Sequence, residues 1–189
     1  MRKEFLSAYI IIALFIIFAI AQKNYEFIVY ALVLVPFMGL LHYTDRWFQY
    51  KSFALWCIVA WMLMHFMGGL AMIGSERLYD FMLLRIVGEP YHILKYDQFV
   101  HVFCFFSMAL LVGNVVLHGA RNKASNWVLG IIITLAASGI GGINEIIEFS
   151  TVVFLNSTGV GGYTNTALDI VANLIGAVLG TVVFFRLKH

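Results

Sequence analysis

The chain consists of long apolar runs separated by mostly short polar connections. About 20 consecutive apolar residues are enough for an α-helix to cross the hydrocarbon core of a bilayer. Six runs are long enough, so the pattern predicts an all-α, polytopic membrane protein folded as a six-transmembrane-helix bundle. The predicted spans are residues 5–21, 26–43, 53–73, 98–118, 127–154 and 166–185.

The amino-acid composition favours the same class. Of the 189 residues, 62% are hydrophobic and 12% are charged, with a mean hydropathy of +0.90, whereas soluble domains are about 25% charged. We therefore expect a single transmembrane domain, residues 1–189, without a separate soluble domain. A net charge of +2 gives no indication of nucleic acid as a partner. Cys57 and Cys104 both lie in apolar runs, which favours packed thiols over a disulfide.

The distribution of basic residues predicts the orientation in the membrane, because inner connections carry more Lys and Arg. With the N-terminus inside, the inner side holds Arg2, Lys3, Arg46, Lys51, Arg121, Lys123, Arg186 and Lys188, and the outer side holds Lys23, Arg77, Arg85 and Lys95. Both termini are therefore predicted to be cytoplasmic, in a multi-pass protein of the bacterial inner membrane. The first run also ends in an Ala-x-Ala pattern typical of cleaved signal peptides; we expect it to be retained as a helix.

One connection is much longer than the others. Residues 74–97 mix charged residues with the apolar residues Phe81, Met82, Leu83, Leu84, Ile86 and Val87. We interpret this segment as a short amphipathic helix that lies on the membrane surface. Pro90 is expected to end that helix.

We single out six ionisable residues that lie inside the apolar runs or at their ends and that the predicted topology places in the outer half of the membrane. They are His65, Asp97, His101, Glu145, Glu148 and Asp169. An ionisable residue at the centre of a membrane helix costs about 2.5–3.5 kcal/mol on insertion scales. The spacings are i, i+4 on the fourth run and i, i+3 on the fifth, so each pair lies on one helix face. We expect the six side chains to converge in one pocket that opens outward.

The charge balance of this predicted site is compatible with three arrangements. Four carboxylates face two histidines, and ionised carboxylates do not share a low-dielectric pocket without compensation. In the first arrangement a divalent metal is bound, with zinc, manganese or iron as the metals that suit carboxylate and imidazole ligands. All six residues are then candidate ligands, and His101 is expected to bind the metal together with Glu145 or Glu148. In the second the carboxylates are protonated within a hydrogen-bonded network, and in the third some of these residues contact water at the outer surface.

Four stretches resemble a known family: MHFMGG (64–69), YDQFVHVF (96–103), NEIIEF (144–149) and GGYTNTALDIVANLIGAVLG (161–180). They are similar to the YjdF-type bacterial inner-membrane proteins, and the last is loosely similar to the VanZ-like membrane proteins. The family pattern falls on His65 with Gly68 and Gly69, on Asp97 and His101, on Glu145 and Glu148, and on Asp169. This chain departs from the pattern at Gly162 and Asn165, where the family often has aspartates. The resemblance implies a compact helical membrane fold and does not imply a particular reaction.

Three functions agree with these observations. The first is a metal-dependent hydrolase at the outer leaflet, in which Glu145 or Glu148 is the base and a lipid, a lipid-linked molecule or a periplasmic small molecule is the substrate. The second is a proton- or cation-coupled transporter, because buried carboxylates and histidines form proton relays. The third is a non-catalytic membrane assembly protein in which the polar cluster joins the helices. Membrane lipids are the expected surroundings in each case, and the sequence does not predict an oligomeric state.

Overall fold

Six helices form the fold of the computed structural model, which describes residues 1–120, 124–156 and 161–188. All six are long and apolar enough to cross a membrane, which confirms the predicted six-helix membrane bundle. The helices are α1 (Lys3–Ala21), α2 (Tyr25–Phe48), α3 (Ser52–Leu70), α4 (Tyr96–Ala120), α5 (Asn126–Leu155) and α6 (Tyr163–Lys188). The largest difference from the predicted spans is at the end of α2, which continues to Phe48. Helix α3 ends three residues before its predicted end, and α6 extends three residues beyond its predicted span at each end.

The segment between α3 and α4 is not a helix, so the prediction of an amphipathic surface helix was wrong. Strands β1 (Met72–Ile73) and β2 (Glu76–Arg77) form one antiparallel hairpin. Strands β3 (Met82–Val87) and β4 (Ile93–Lys95) form a second, and a 3-10 turn joins the two hairpins. The apolar residues of β3 are consecutive rather than spaced at 3.6 residues, and this arrangement is compatible with a strand. Gly74, at the turn between β1 and β2, has a φ of +63°, a conformation that glycine adopts without strain.

Helix α4 lies at the centre of the bundle and packs most extensively against α6, and also against α3 and α5. Gly176 and Gly180 of α6 face the α4 backbone so closely that a Cβ atom at either position would meet the carbonyl oxygen of Val102 or Phe106. Small residues allow helix backbones to approach in this way. The Gly-x-x-x-Gly spacing of these two residues therefore permits the close contact between α4 and α6.

Helices α1 and α2 pack at the side of this core. Arg2 joins them to the rest of the bundle, because its guanidinium donates to Asp45 at 3.0 Å and to the carbonyl oxygen of Tyr50 at 2.8 Å. The same guanidinium pairs with the buried Glu4 at 3.1 Å, and the Ser52 hydroxyl donates to Glu4 as well. The peripheral helices are therefore fixed at one end by a polar cluster rather than by charges along their length.

The two ends of the bundle differ in chemistry. The terminal end holds the Arg2 cluster and the contact of Lys51 with the carbonyl oxygen of Leu187. The opposite end, here called the hairpin end, holds both hairpins and the first residues of α2, α4 and α6. The basic residues of the terminal end favour a cytoplasmic location for it. Arg121 and Lys123, which contribute to that prediction, lie outside the described residues, as does the side chain of Lys188.

Candidate functional site: a buried histidine among four carboxylates

His101 is the centre of a polar cluster near the hairpin end. It lies in the second turn of α4, is 8% exposed, and its Nε2 atom is 3.7 Å from Oδ1 of Asp97 on the same helix face. Helix α5 contributes two carboxylates at i, i+3 spacing: Glu148 Oε1 is 3.9 Å from Nε2, and Glu145 Oε1 is 3.6 Å from Nδ1. Both predicted spacings thus direct side chains toward the same imidazole.

Asn173 of α6 determines which nitrogen of His101 carries a proton. Its amide nitrogen donates to Glu145 Oε1 at 3.2 Å, so its Oδ1 faces Nδ1 of His101 at 2.9 Å. Because an amide oxygen only accepts, Nδ1 must be the donor in this hydrogen bond. The neutral imidazole then has its lone pair on Nε2, the nitrogen that faces Asp97 and Glu148.

Asp169 is the most deeply buried carboxylate of the cluster, with 1% of its surface exposed. Its Oδ2 atom accepts a hydrogen bond of 2.7 Å from Asn165 one turn earlier in α6, and Asn165 also donates to Asp97 Oδ2 at 3.2 Å. Its Oδ1 atom is buried and has no hydrogen-bond partner among the described residues. A buried carboxylate oxygen without a partner is costly, unless another group such as a cation satisfies it.

Two groups of side chains have ligand atoms close enough to share a metal ion. In the first, one atom each from Asp97, His101 and Asp169 lies within 4.8 Å of the others, and in the second the same holds for His101, Glu145 and Glu148. Two ligands of one zinc ion, each about 2.1 Å from it, are about 3.4 Å apart in tetrahedral geometry. The observed separations of 3.6–3.9 Å around His101 are slightly wider than this value.

His65 is the sixth predicted ligand, and it lies outside both groups. The hydroxyl of Tyr79, in the 3-10 turn, is 2.5 Å from Nδ1 of His65 and donates to its backbone carbonyl oxygen at 2.8 Å. The Tyr79 ring lies against Gly68, where an added Cβ atom would clash with the ring. Burial raises the pKa of Tyr79 well above its usual value, so the hydroxyl stays protonated. The histidine and the glycine of the MHFMGG stretch thus form a binding surface for Tyr79.

A cavity of about 210 Å³ connects the cluster with the hairpin end. His65, Asp97, His101 and Glu148 lie in its wall, together with residues of the second hairpin and of the segment before α6. The outer part of the wall is formed by Asp80, Pro90, Tyr91, His92, Lys95, Gly161, Gly162, Thr164 and Asn165. Gly159, in the uncharged connection before α6, lies outside the described residues.

Several polar residues of the site were not among the predicted site residues. Asn165 and Asn173 flank Asp169 at spacings of four, so a polar stripe along α6 was visible in the sequence. Asn144 donates to Glu148 Oε1 at 2.7 Å. Tyr30 and Glu26 of the peripheral helix α2 line the cavity, and Tyr30 donates to Glu26 at 3.2 Å. No sequence pattern indicated that α2 reaches the cavity.

The sequence matches the model of a protein family over residues 4–189, and the family is described as "Predicted membrane protein (DUF2238)". The match covers nearly the whole chain, so the chain belongs to this family. Membership is consistent with the resemblance to the YjdF-type proteins. Comparison with curated proteins and comparison with solved structures each found no match.

Proposed function

We propose that this member of the DUF2238 family binds one divalent metal ion through Nε2 of His101 and the carboxylates of Asp97 and Asp169, and hydrolyses a lipid or a lipid-linked molecule. The observation that supports the metal most directly is the buried Oδ1 atom of Asp169, which has no hydrogen-bond partner among the described residues. One imidazole with several carboxylates suits manganese, iron or zinc. The cation also offsets the negative charge of the cluster.

The hydrogen bonds of Asn173 favour the first ligand group over the second. Nδ1 of His101 donates to Asn173, so only Nε2 is free to bind a metal. Glu145 lies on the Nδ1 side and accepts from Asn173. A carboxylate that fixes a ligand histidine through an intervening group raises the basicity of that ligand. Glu145 is therefore assigned to the orientation of His101 rather than to the metal.

Glu148 is the better candidate for the general base. It lines the cavity, whereas Glu145 is not part of the cavity wall. A bound metal lowers the pKa of a water ligand. Glu148 would remove a proton from this water as the water oxygen attacks the substrate. The bond to the leaving group would then break, and Glu148 would return that proton to the leaving group. The hydrogen bond from Asn144 holds Glu148 in place for this role.

The volume and the lining residues of the cavity favour a small polar group as the ligand of the site. A volume of about 210 Å³ accommodates a headgroup or a small solute, but not a pair of acyl chains. Its wall includes the cationic Lys95 and several tyrosines, which suits a polar headgroup. The predicted topology opens the cavity to the outer leaflet, where lipid headgroups and periplasmic solutes are both present.

The metal is tested by elemental analysis of the purified protein in detergent. Wild type is expected to hold about one divalent ion per chain, and D169N is expected to lose it. The matched control is D80N, which makes the same substitution at the cavity rim, where Asp80 pairs with Lys95 at 3.2 Å. Wild-type protein without metal after incubation with manganese, iron and zinc would contradict the proposal.

The hydrolytic role is tested separately by incubating metal-loaded protein with a total bacterial lipid extract. Mass spectrometry is expected to detect the loss of one lipid class and the appearance of its cleaved headgroup. E148Q is expected to keep the metal and to lose this turnover. Full metal occupancy in wild type without any change in the lipids would contradict the hydrolytic role, although metal binding would stand.

A further inference from the structure

We infer that the hairpin of β3 and β4 lies in the lipid–water interface, with the exposed apolar side chains of β3 among the acyl chains of the adjacent leaflet. This inference does not depend on a metal or on hydrolysis. It concerns the exposed apolar surface of β3, which is not part of the candidate site.

Five of the six residues of β3 are apolar, and Leu83 to Val87 are all exposed. Successive side chains of a strand point to opposite faces, although the pairing with β4 is irregular between Met82 and Val87. The adjacent residues Leu83 and Leu84 are 43% and 61% exposed. Ile86 and Val87 repeat this arrangement with exposures of 62% and 41%. A docked protein would cover one face of such a strand, whereas lipid surrounds both.

The hairpin continues the lipid-facing surface of the bundle. Helix α3 ends at Leu70, and β1 begins two residues later at Met72. Met67 on the last turn of α3 is exposed, as are Met72 and Ile73. Strand β4 ends at Lys95 and the membrane-spanning helix α4 begins at the next residue, so the β3–β4 hairpin lies at the same end of the membrane-spanning helices as these exposed residues. This location identifies lipid as the occupant of its exposed apolar surface.

The backbone sets the depth of insertion. A sheet of two strands leaves edge N–H and C=O groups that the hydrocarbon core does not satisfy. The hairpin therefore lies at the boundary of headgroups and acyl chains, about 5–10 Å deep. Arg85 on the same strand is exposed, and at this depth its guanidinium can reach lipid phosphates while its aliphatic stem stays among the chains.

The hairpin is firmly joined to α4. The side-chain oxygen of Gln98 accepts from the backbone N–H groups of Leu94 at 2.7 Å and Lys95 at 2.8 Å. The backbone N–H of Tyr96 donates to the carbonyl oxygen of Phe81 at 2.8 Å. The lipid contact of β3 therefore fixes the height of His92 and Lys95, which line the cavity.

Site-directed spin labelling tests the insertion. Single cysteines replace Leu83 and Leu84 in a background in which Cys57 and Cys104 are alanine, and the labelled proteins are reconstituted into phosphatidylethanolamine–phosphatidylglycerol vesicles. Collision with oxygen, which concentrates in the bilayer, is compared with collision with a water-soluble nickel chelate. Both positions are expected to collide more with oxygen than with nickel, as does the lipid-facing reference position Leu32, which is 62% exposed.

Glu76→Cys and Glu89→Cys are the matched controls, because both glutamates are exposed in the same segment. They are expected to collide preferentially with nickel. Nickel preference at positions 83 and 84 would overturn the inference. Exclusion of both reagents from either position would also overturn it, since that result indicates a covering protein or a second copy of the chain. All four positions are exposed, so the substitutions do not disturb the core.

Discussion

Asn173 accepts a hydrogen bond of 2.9 Å from Nδ1 of His101 in the buried centre of the bundle, across 72 positions of sequence. This single contact joins α4 to α6 at the site and leaves Nε2 as the nitrogen that can bind a metal. It also connects the imidazole to Glu145, which accepts from the other side of the same amide. The orientation of His101 therefore depends on a residue that cannot itself titrate.

Replacement of Asn173 by alanine is expected to weaken metal binding about 10–100-fold, the usual effect of removing a partner that orients a ligand histidine. Titration of the purified variant with manganese or zinc against a chelator measures this change. N114A is the matched control, because Asn114 lies on α4 in a separate cavity at the terminal end. Equal affinity in N173A and wild type would show that the amide does not determine the ligand nitrogen.

The close approach of α4 and α6 gives a prediction about stability. G176A places a Cβ atom against the carbonyl oxygen of Val102 and is expected to destabilise the protein by about 1–3 kcal/mol, the usual cost of overpacking. G139A is the matched control, because no atom lies within 4 Å of a Cβ at that position of α5. Thermal unfolding in detergent should show a lower midpoint than wild type for G176A and an unchanged midpoint for G139A. An equal decrease of the midpoint in both variants would contradict the packing argument.

The membrane helices could be predicted from the sequence because the length of an apolar run is itself the physical requirement for crossing a bilayer. The hairpins were not predicted because the mixture of charged and apolar residues in 74–97 is also typical of an amphipathic surface helix, although the segment contains turn signals. Gly74 and the Gly88–Pro90 stretch are such signals, and the apolar residues between them are consecutive.

The candidate site was predictable where its residues repeat on one helix. Asp97 with His101, and Glu145 with Glu148, share helix faces, and the structure brings both pairs together. The position of His65 was not predictable in this way. It depends on how Tyr79 packs on α3, a contact between a loop and a helix that no local spacing encodes.

His65 lies outside the two ligand groups, so the same His→Gln substitution is expected to have different effects at His65 and at His101. H101Q is expected to abolish metal binding, whereas H65Q is expected to keep the metal, because His65 hydrogen-bonds Tyr79 instead. Y79F should also retain the metal and lose about 0.5–1.5 kcal/mol of stability with its hydrogen bond. Elemental analysis and thermal unfolding of the three variants measure these effects. Loss of metal in H65Q would contradict this assignment and would indicate that His65 is a metal ligand.

The cavity at the hairpin end predicts access to the site from one side of the membrane. Thr164 is exposed and lines the cavity, whereas Leu111 lies in the interior of α4 with 3% exposure. In a protein whose two native cysteines are replaced, T164C is expected to react from the outer side with a membrane-impermeant thiol reagent. L111C is expected to react from neither side, because buried Phe105 and Met108 separate it from the cavity.

Labelling of intact cells and of inverted membrane vesicles distinguishes the two sides. S125C is the control for the cytoplasmic side, since Ser125 precedes α5 at the terminal end. Reaction of T164C only in inverted vesicles would reverse the predicted topology and place the candidate site in the cytoplasmic half of the membrane. Reaction of L111C from the cytoplasmic side would reveal a path through the bundle. Such a path would favour a cation carrier over a hydrolase, because only transport requires access from both sides of the membrane.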